Sequence, residues 1–178
     1  MPTVVKRIEP HRRLGLSSTP TLRIAQKASS TFIKGAPVYI DSTGYITSTP
    51  VDTLTSSHSA VQAAAAEILG FAQEAGANSA SDTSLVGVTP ALPGMLFKGQ
   101  MMSTTDSSNS GALKTTTQTM IGGNYGLAKL SGDTNYGIDA DLASSRDAVT
   151  VVEAIDAIGT SGGLMGFVVR AGWRQLDL

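Results

Sequence analysis

One pentapeptide in the chain has the residue types and spacing of a serine nucleophile. Residues 159–163 read Gly-Thr-Ser-Gly-Gly and match the Gly-x-Ser-x-Gly turn of α/β-hydrolases. In that fold the general-base histidine follows the serine in the chain. Here both histidines, His11 and His58, precede Ser161, and no alternation of strands and helices surrounds it. We therefore predict a glycine-rich hairpin turn and no catalytic residue at this position.

Three carboxylates could be considered for a metal site. Asp139, Asp141 and Asp147 faintly resemble a calcium loop, but Ala143 and Ser144 break the required series of oxygen ligands. We predict solvated loop carboxylates. The chain has no cysteine, and two isolated histidines do not make a zinc site of the usual composition. No metal and no cofactor is expected.

Signatures of other enzyme classes are also missing from the sequence. There is no Gly-Lys dipeptide, hence no Walker A loop, and no Gly-x-Gly-x-x-Gly fingerprint for a dinucleotide. Paired carboxylates of glycosidases leave no local signature, but 5% aromatic residues with a single Trp is little for a sugar cleft. We expect a protein that is not an enzyme.

Composition favours short strands joined by turns. The 178 residues suffice for one domain, and charged residues make up only 15%, against about a quarter in typical domains. Glycine, serine and threonine fill the stretches between apolar runs. No apolar run approaches the roughly 20 residues that span a bilayer, and the N-terminal residues lack the apolar core of a secretory signal. We expect a protein made and kept in a cytoplasm, or released by lysis.

Charge is distributed unevenly along the chain. Residues 1–40 hold seven basic residues and one acidic residue, whereas the remainder carries a formal charge of −7. Such a basic head suggests docking on an acidic protein surface or on nucleic acid; a solvated arm with incidental charge is the alternative. Because residues 1–30 contain no aromatic side chain, we expect no specific nucleic-acid reader. The candidate contact residues are Lys6, Arg7, Arg12 and Arg13.

The elements that must position these residues are mostly strands. Prolines spaced through residues 1–20 predict an extended arm that becomes ordered on a partner. Residues 34–47 predict a hairpin around an Asp-Ser-Thr-Gly turn, and residues 60–67 predict a short helix. The Ser/Thr-rich residues 48–59 and 103–119 are predicted as loops. Further strands are predicted at residues 22–25, 68–75, 85–91, 95–99, 125–130, 136–142 and 149–158.

The C-terminal third carries the strongest periodicity. Met165, Phe167, Val169, Ala171 and Trp173 alternate with the other residues and predict a strand with one buried face. Many short strands with frequent turns indicate a mainly β protein, built as a small single-domain β-barrel or sandwich. We divide it into an extended basic N-terminal arm, residues 1–20, and a β-rich domain, residues 21–178.

The order of these motifs resembles a known family. After the basic segment come Lys-Gly-Ala-Pro-Val at 34–38, Ile-Leu-Gly-Phe-Ala at 68–72, Val-Gly-Val-Thr-Pro-Ala at 86–91, and Gly-Phe-Val-Val at 166–169 with Trp173 behind it. This pattern looks like that of the capsid decoration (cement, head-stabilising) proteins of tailed bacteriophages. The resemblance spans about residues 20–175 and rests on short motifs.

The resemblance implies a structural virion protein on the outer surface of the phage head. It implies a homotrimer that stabilises contacts between major capsid subunits, with no active site, cofactor, small-molecule substrate or membrane partner. The alternative from a different class is a glycan- or receptor-binding β module of a phage tail or fibre. Exposed tyrosines at positions 39, 45, 125 and 136 would suit that alternative.

Overall fold

The computed structural model describes residues 6–13, 18–49, 51–55, 58–61, 68–77, 83–103, 112–130, 135–141 and 146–176. The fold is mainly β, as predicted. Its strands, in chain order, are β1 (Glu9–Arg13), β2 (Leu22–Ala25), β3 (Pro37–Ile40), β4 (Ile46–Ser48), β5 (Val51–Thr55), β6 (His58–Val61), β7 (Gly70–Ala72), β8 (Leu85–Pro90), β9 (Met95–Ser103), β10 (Ala112–Leu113), β11 (Asn124–Leu130), β12 (Gly137–Asp139), β13 (Val149–Ala154) and β14 (Leu164–Val169). Short 3-10 turns lie at Gln118–Met120 and Ala171–Trp173.

The larger sheet contains a closed ring of five strands. Its path runs β1-β9-β14-β13-β11-β6-β5, and β10 pairs with β9. Strand β12 pairs antiparallel with β11 and parallel with β9, so that β9, β14, β13, β11 and β12 are hydrogen-bonded all the way round. Strand β1 lies outside the ring, against the first half of β9.

The smaller sheet also turns back on itself. Its order is β2-β8-β7-β3-β4. A parallel bridge between Gln26 and Ile46 then joins the end of β2 to β4, and the Lys27 N–H donates to the Ile46 carbonyl at 2.8 Å. Both side chains at this bridge, Gln26 and Ile46, are fully buried.

One continuous core joins the two sheets. Phe71 of the smaller sheet lies 4.5 Å, between ring centroids, from Phe97 of the larger sheet, and 5.9 Å from Phe167. All three rings are buried, and their tilted and edge-on arrangement is the one that aromatic pairs favour. The C-terminal segment adds a polar link, since the Gln175 side chain donates to the Ile40 carbonyl and accepts from the Ile40 N–H.

Several sequence predictions are confirmed. The hairpin at residues 34–47 is formed by β3 and β4, with Gly44 at φ +86° in the turn where a side chain would be strained. Strands lie within the predicted segments at 22–25, 68–75, 85–91 and 149–158. The alternation in β14 is correct for Met165, Phe167 and Val169, all of which are buried.

Other predictions are wrong in part. The segment 48–59 is not a loop, because it contributes the antiparallel hairpin of β5 and β6; its valine and threonines are residues that strands favour. The short helix predicted at 60–67 does not begin there, since Ala60 and Val61 end β6, and residues 62–67 lie outside the described ranges. Trp173 is not on β14. That strand ends at Val169, and Trp173 closes the following 3-10 turn.

The described residues 6–13 of the N-terminal segment are extended and pack on the larger sheet. Strand β1 pairs antiparallel with β9, Ile8 is 1% exposed, and the Lys6 N–H donates to Gln100 Oε1 at 2.6 Å. The turn at Gly35 packs directly on this segment, because a Cβ at Gly35 would lie 2.7 Å from the Ile8 carbonyl oxygen. Residues 6–13 are therefore packed on the larger sheet within the chain, and the division at residue 20 stays a prediction.

Candidate docking surface

The predicted contact residues lie at the outer edge of the larger sheet. Lys6 and Arg7 are exposed just before β1, and Arg12 is exposed within it. Arg13 ends β1, and its side chain lies outside the described part of the structure. Since β1 pairs only with β9 among the described strands, the exposed side chains of Lys6, Arg7 and Arg12 lie at an open edge of the described sheet.

A β-bulge determines which way Arg12 points. Glu9 faces Lys98 across the β1–β9 ladder, and Arg12 faces Leu96, with a register shift between Pro10 and Arg12. Side chains three positions apart on a regular strand lie on opposite faces. The extra residue, His11, restores Arg12 to the face that carries Glu9.

A second bulge brings a distant carboxylate to the same face. On β13, Val151 pairs with the buried Phe167, whereas Glu153 pairs with Gly166, because the register shifts at Val152. Arg12 Nη2 lies 2.5 Å from Glu153 Oε2, and His11 Nε2 lies 3.3 Å from Glu153 Oε1. Gly166 makes room for this carboxylate, since an added Cβ would lie 2.6 Å from Glu153 Cγ.

A second ion-pair cluster surrounds Glu9. Lys98 Nζ lies 3.0 Å from one carboxylate oxygen of Glu9, and Arg7 Nε lies 2.9 Å from the other. Hydrogen bonds first from Lys98 and then from Arg7 hold the pKa of Glu9 below its ordinary value. Lys98 comes from the middle of β9 and was not among the predicted contact residues.

We call this surface the basic face and define it by Lys6, Arg7, Arg12 and Lys98, with Glu9 and Glu153 among them. Four cations against two carboxylates leave two positive charges in surplus. Arg7 and Arg12 already have carboxylate partners in their own chain, Glu9 and Glu153. Contact of Lys6, Arg7, Arg12 and Arg13 with a capsid stays a prediction.

The serine pentapeptide is a turn, as predicted. Residues 155–163 join β13 to β14, with positive φ at Gly159 and Gly162. Ser161 Oγ contacts the Leu113 carbonyl at 3.5 Å. The described contact of His11 is with Glu153, and the His58 side chain lies outside the described ranges.

Two aspartates of the supposed calcium loop, Asp139 and Asp141, have partners within the fold and are not free loop carboxylates. Asp139 is buried and accepts the Asp141 N–H at 2.9 Å. Asp141 also accepts from Ser103 Oγ and pairs with Lys114 Nζ at 3.2 Å. These carboxylates hold β9, β12 and the segment after β10 together. Among the described residues, no group of three or more His, Cys, Asp or Glu could hold a metal ion.

The tyrosines do not form an exposed set. Tyr136 is buried, and burial raises its pKa to about 12. Tyr125 and Tyr39 are half-buried. For Tyr125, burial and then the nearby Asp147 raise the pKa of the phenol. Tyr45 is 37% exposed, which leaves one tyrosine of the four on the open surface.

Comparisons with protein-family models, with curated protein sequences and with solved structures found no match to this chain. In the ranges that the structure describes, no helix has the length and apolar character needed to cross a membrane.

Proposed function

We propose that this chain is a structural virion protein that binds the outer surface of a phage head and stabilises contacts between major capsid subunits. It would act as a homotrimer, assemble in the host cytoplasm and remain on the capsid exterior, without cofactor or substrate. The motif resemblance supports this proposal. The observation that carries it here is the basic face, an open edge of the described sheet with surplus positive charge.

The chemistry of this face suits a protein partner with an acidic surface. Its cations project from a paired strand and from the segment that Gln100 holds in place, so little ordering free energy is lost on docking, compared with about 1–2 kcal/mol per residue for a free arm. Exposed ion pairs contribute only about 0–1 kcal/mol each. Several copies on one trimer would therefore be needed for firm attachment, since linked sites raise avidity.

The test uses heads of the encoding phage from which the outer protein has been removed. Full-length chain should bind them in many copies over the head, seen by electron microscopy and by co-sedimentation. Neutralising two cations of the basic face, in the variant Lys6→Gln/Arg7→Gln, should weaken binding by about 3–10-fold at low salt and by less at high salt, because salt screens exposed charges.

A matched control removes two positive charges elsewhere. Arg23→Gln/Lys129→Gln lies in other strands and should bind heads like wild type. Equal weakening by both variants would mean that overall charge, and not the basic face, attracts the protein. No binding of the wild-type chain to heads would overturn the proposal, and density confined to the tail or vertices would favour the glycan- or receptor-binding alternative.

A further inference from the structure

A cleft of about 270 Å³ opens beside β1, where the two sheets meet. Ile8, Phe71 and Ala72 form its floor and are almost fully buried. The less buried residues Pro10, Lys34 and Gln73 also line it. The cleft is continuous with the basic face, because Glu9 of that face also lines it.

The size of the cleft argues for a side chain as occupant. Small-molecule sites usually enclose about 300–1,000 Å³, whereas a cavity of about 150 Å³ already holds benzene. A volume of about 270 Å³ therefore fits one aromatic or branched aliphatic side chain. Its floor is apolar, so an apolar side chain loses little on entering it.

The charges around the cleft determine what must flank that side chain. Lys34 is exposed, and within the described residues no carboxylate forms an ion pair with it. Glu9 pairs with Arg7 and Lys98, whose two positive charges exceed its single negative charge, so it does not offset the charge of Lys34. Gln73 is likewise engaged, since its Nε2 donates to Thr21 and Thr89 hydroxyls. Among the described residues, the positive charge of Lys34 at the rim therefore has no carboxylate partner, and it can pair with a carboxylate of another molecule.

We propose that this cleft binds a short acidic segment of the partner protein, with one aromatic or large aliphatic side chain inserted between carboxylates that pair with Lys34. This inference rests on the proposed function, in which the partner is the major capsid protein. It identifies the part of the docking surface that selects a sequence, whereas the basic face attracts any acidic surface.

The test separates the cleft from the capsid by using peptides. The probe is acetyl-Gly-Asp-Phe-Asp-Gly-amide, titrated into isotope-labelled full-length protein while amide resonances are followed by NMR. We expect saturable shifts confined to the amides of residues 8–9, 34–35 and 71–73. The two control peptides replace Phe by Ala or both Asp residues by Asn, and each should bind at least about 5-fold more weakly, since each removes one of the two required features.

Protein variants give the second comparison. Lys34→Glu should weaken binding of the probe at least about 10-fold, because it replaces attraction by repulsion, and Lys34→Gln should weaken it less. Lys129→Glu makes the same charge change on β11 and should bind like wild type. Absence of shifts at the cleft up to 5 mM peptide, or equal effects of Lys34→Glu and Lys129→Glu, would overturn the cleft proposal.

Head binding distinguishes the two proposals. If Lys6→Gln/Arg7→Gln weakens head binding while Lys34→Glu does not, the head-binding function stands and the cleft proposal falls. If the chain binds the probe at the cleft but binds no heads, the cleft stands as an acidic-segment site and its assignment to a capsid partner falls.

Discussion

Arg12 and Glu153 form an ion pair at 2.5 Å although 141 residues separate them in the chain. Two β-bulges, at His11 and Val152, make this pairing possible by turning both side chains to the same face of the sheet. The carboxylate thereby ties the edge strand β1 to β13 across the intervening strands β9 and β14.

This ion pair should contribute little to stability. Its side chains are 53% and 27% exposed, so Arg12→Gln and Glu153→Gln should each lower the free energy of unfolding by less than about 1 kcal/mol, with a coupling of about 0.5 kcal/mol in a double-mutant cycle measured by urea denaturation. The control is Arg23→Gln, which breaks the exposed Arg23–Glu74 pair and should lower the free energy of unfolding by a similar amount. A coupling above about 2 kcal/mol would contradict this prediction.

The aromatic cluster should be far more costly to disturb. Phe167 is fully buried against Phe71 and Phe97, so Phe167→Ala should lower the free energy of unfolding by about 3–5 kcal/mol through lost burial and the cavity left behind. Val152→Ala, at a 40% exposed position on the neighbouring strand, should cost less than about 0.5 kcal/mol. Similar losses of unfolding free energy in the two variants would contradict the assignment of Phe167 to the core and of Val152 to the surface.

Asp41 should make the β3–β4 hairpin sensitive to acid. The Lys27 ammonium, 2.8 Å away, and then the hydroxyl and N–H of Thr43 hold the pKa of Asp41 well below its usual range. A lowered pKa stabilises the fold above the unfolded value near 3.8, and this contribution is lost as pH falls below it. The stability difference between wild type and Asp41→Asn should therefore shrink from pH 5 to pH 2. A constant difference over that interval would contradict the prediction.

Tyr136 should cause a loss of stability in alkali. Burial raises its pKa from 10.0 to about 12, so the folded state retains a proton that the unfolded chain releases, and stability should fall as pH rises from 10 to 12. The fall at pH 12 should reach about 2–3 kcal/mol. Tyr136→Phe should remove this contribution and leave the part that comes from Tyr125, whose pKa burial also raises, whereas Tyr45→Phe, at an exposed position, should leave the fall unchanged. Denaturant titrations at pH 9, 11 and 12 provide the measurement.

The sequence predicts individual strands and turns of this fold better than it predicts which strands pair with one another. Alternation identifies β14 and its buried face correctly, and turn chemistry identifies the β3–β4 hairpin. Both signals depend on residues close together in the chain. The hairpin of β5 and β6 was missed because threonine and serine occur in loops as well as in strands, and composition alone does not separate the two.

Only the N-terminal residues of the docking surface could be predicted from the sequence. Lys6, Arg7 and Arg12 stand out as a basic cluster, but Lys98 and Glu153 carry no local signal that places them beside it. Their positions depend on the order of strands in the sheet and on two bulges. A bulge adds one residue to a strand and thereby shifts the alternation of side chains between the two faces of the sheet by one position. Assigning faces by strict alternation along β13 therefore places Glu153 on the wrong face.

The closed ring of β9, β14, β13, β11 and β12 should make the protein a slow folder. The ring is closed by the parallel pairing of β12 with β9, in which Ile138 lies opposite Met101. The paired residues of β1 and β9 are about ninety positions apart in the chain. Chains dominated by such distant pairings refold in about milliseconds to seconds, since loop closure must precede the contacts that stabilise it. Stopped-flow refolding should therefore be slower by orders of magnitude than that of helical proteins of similar length.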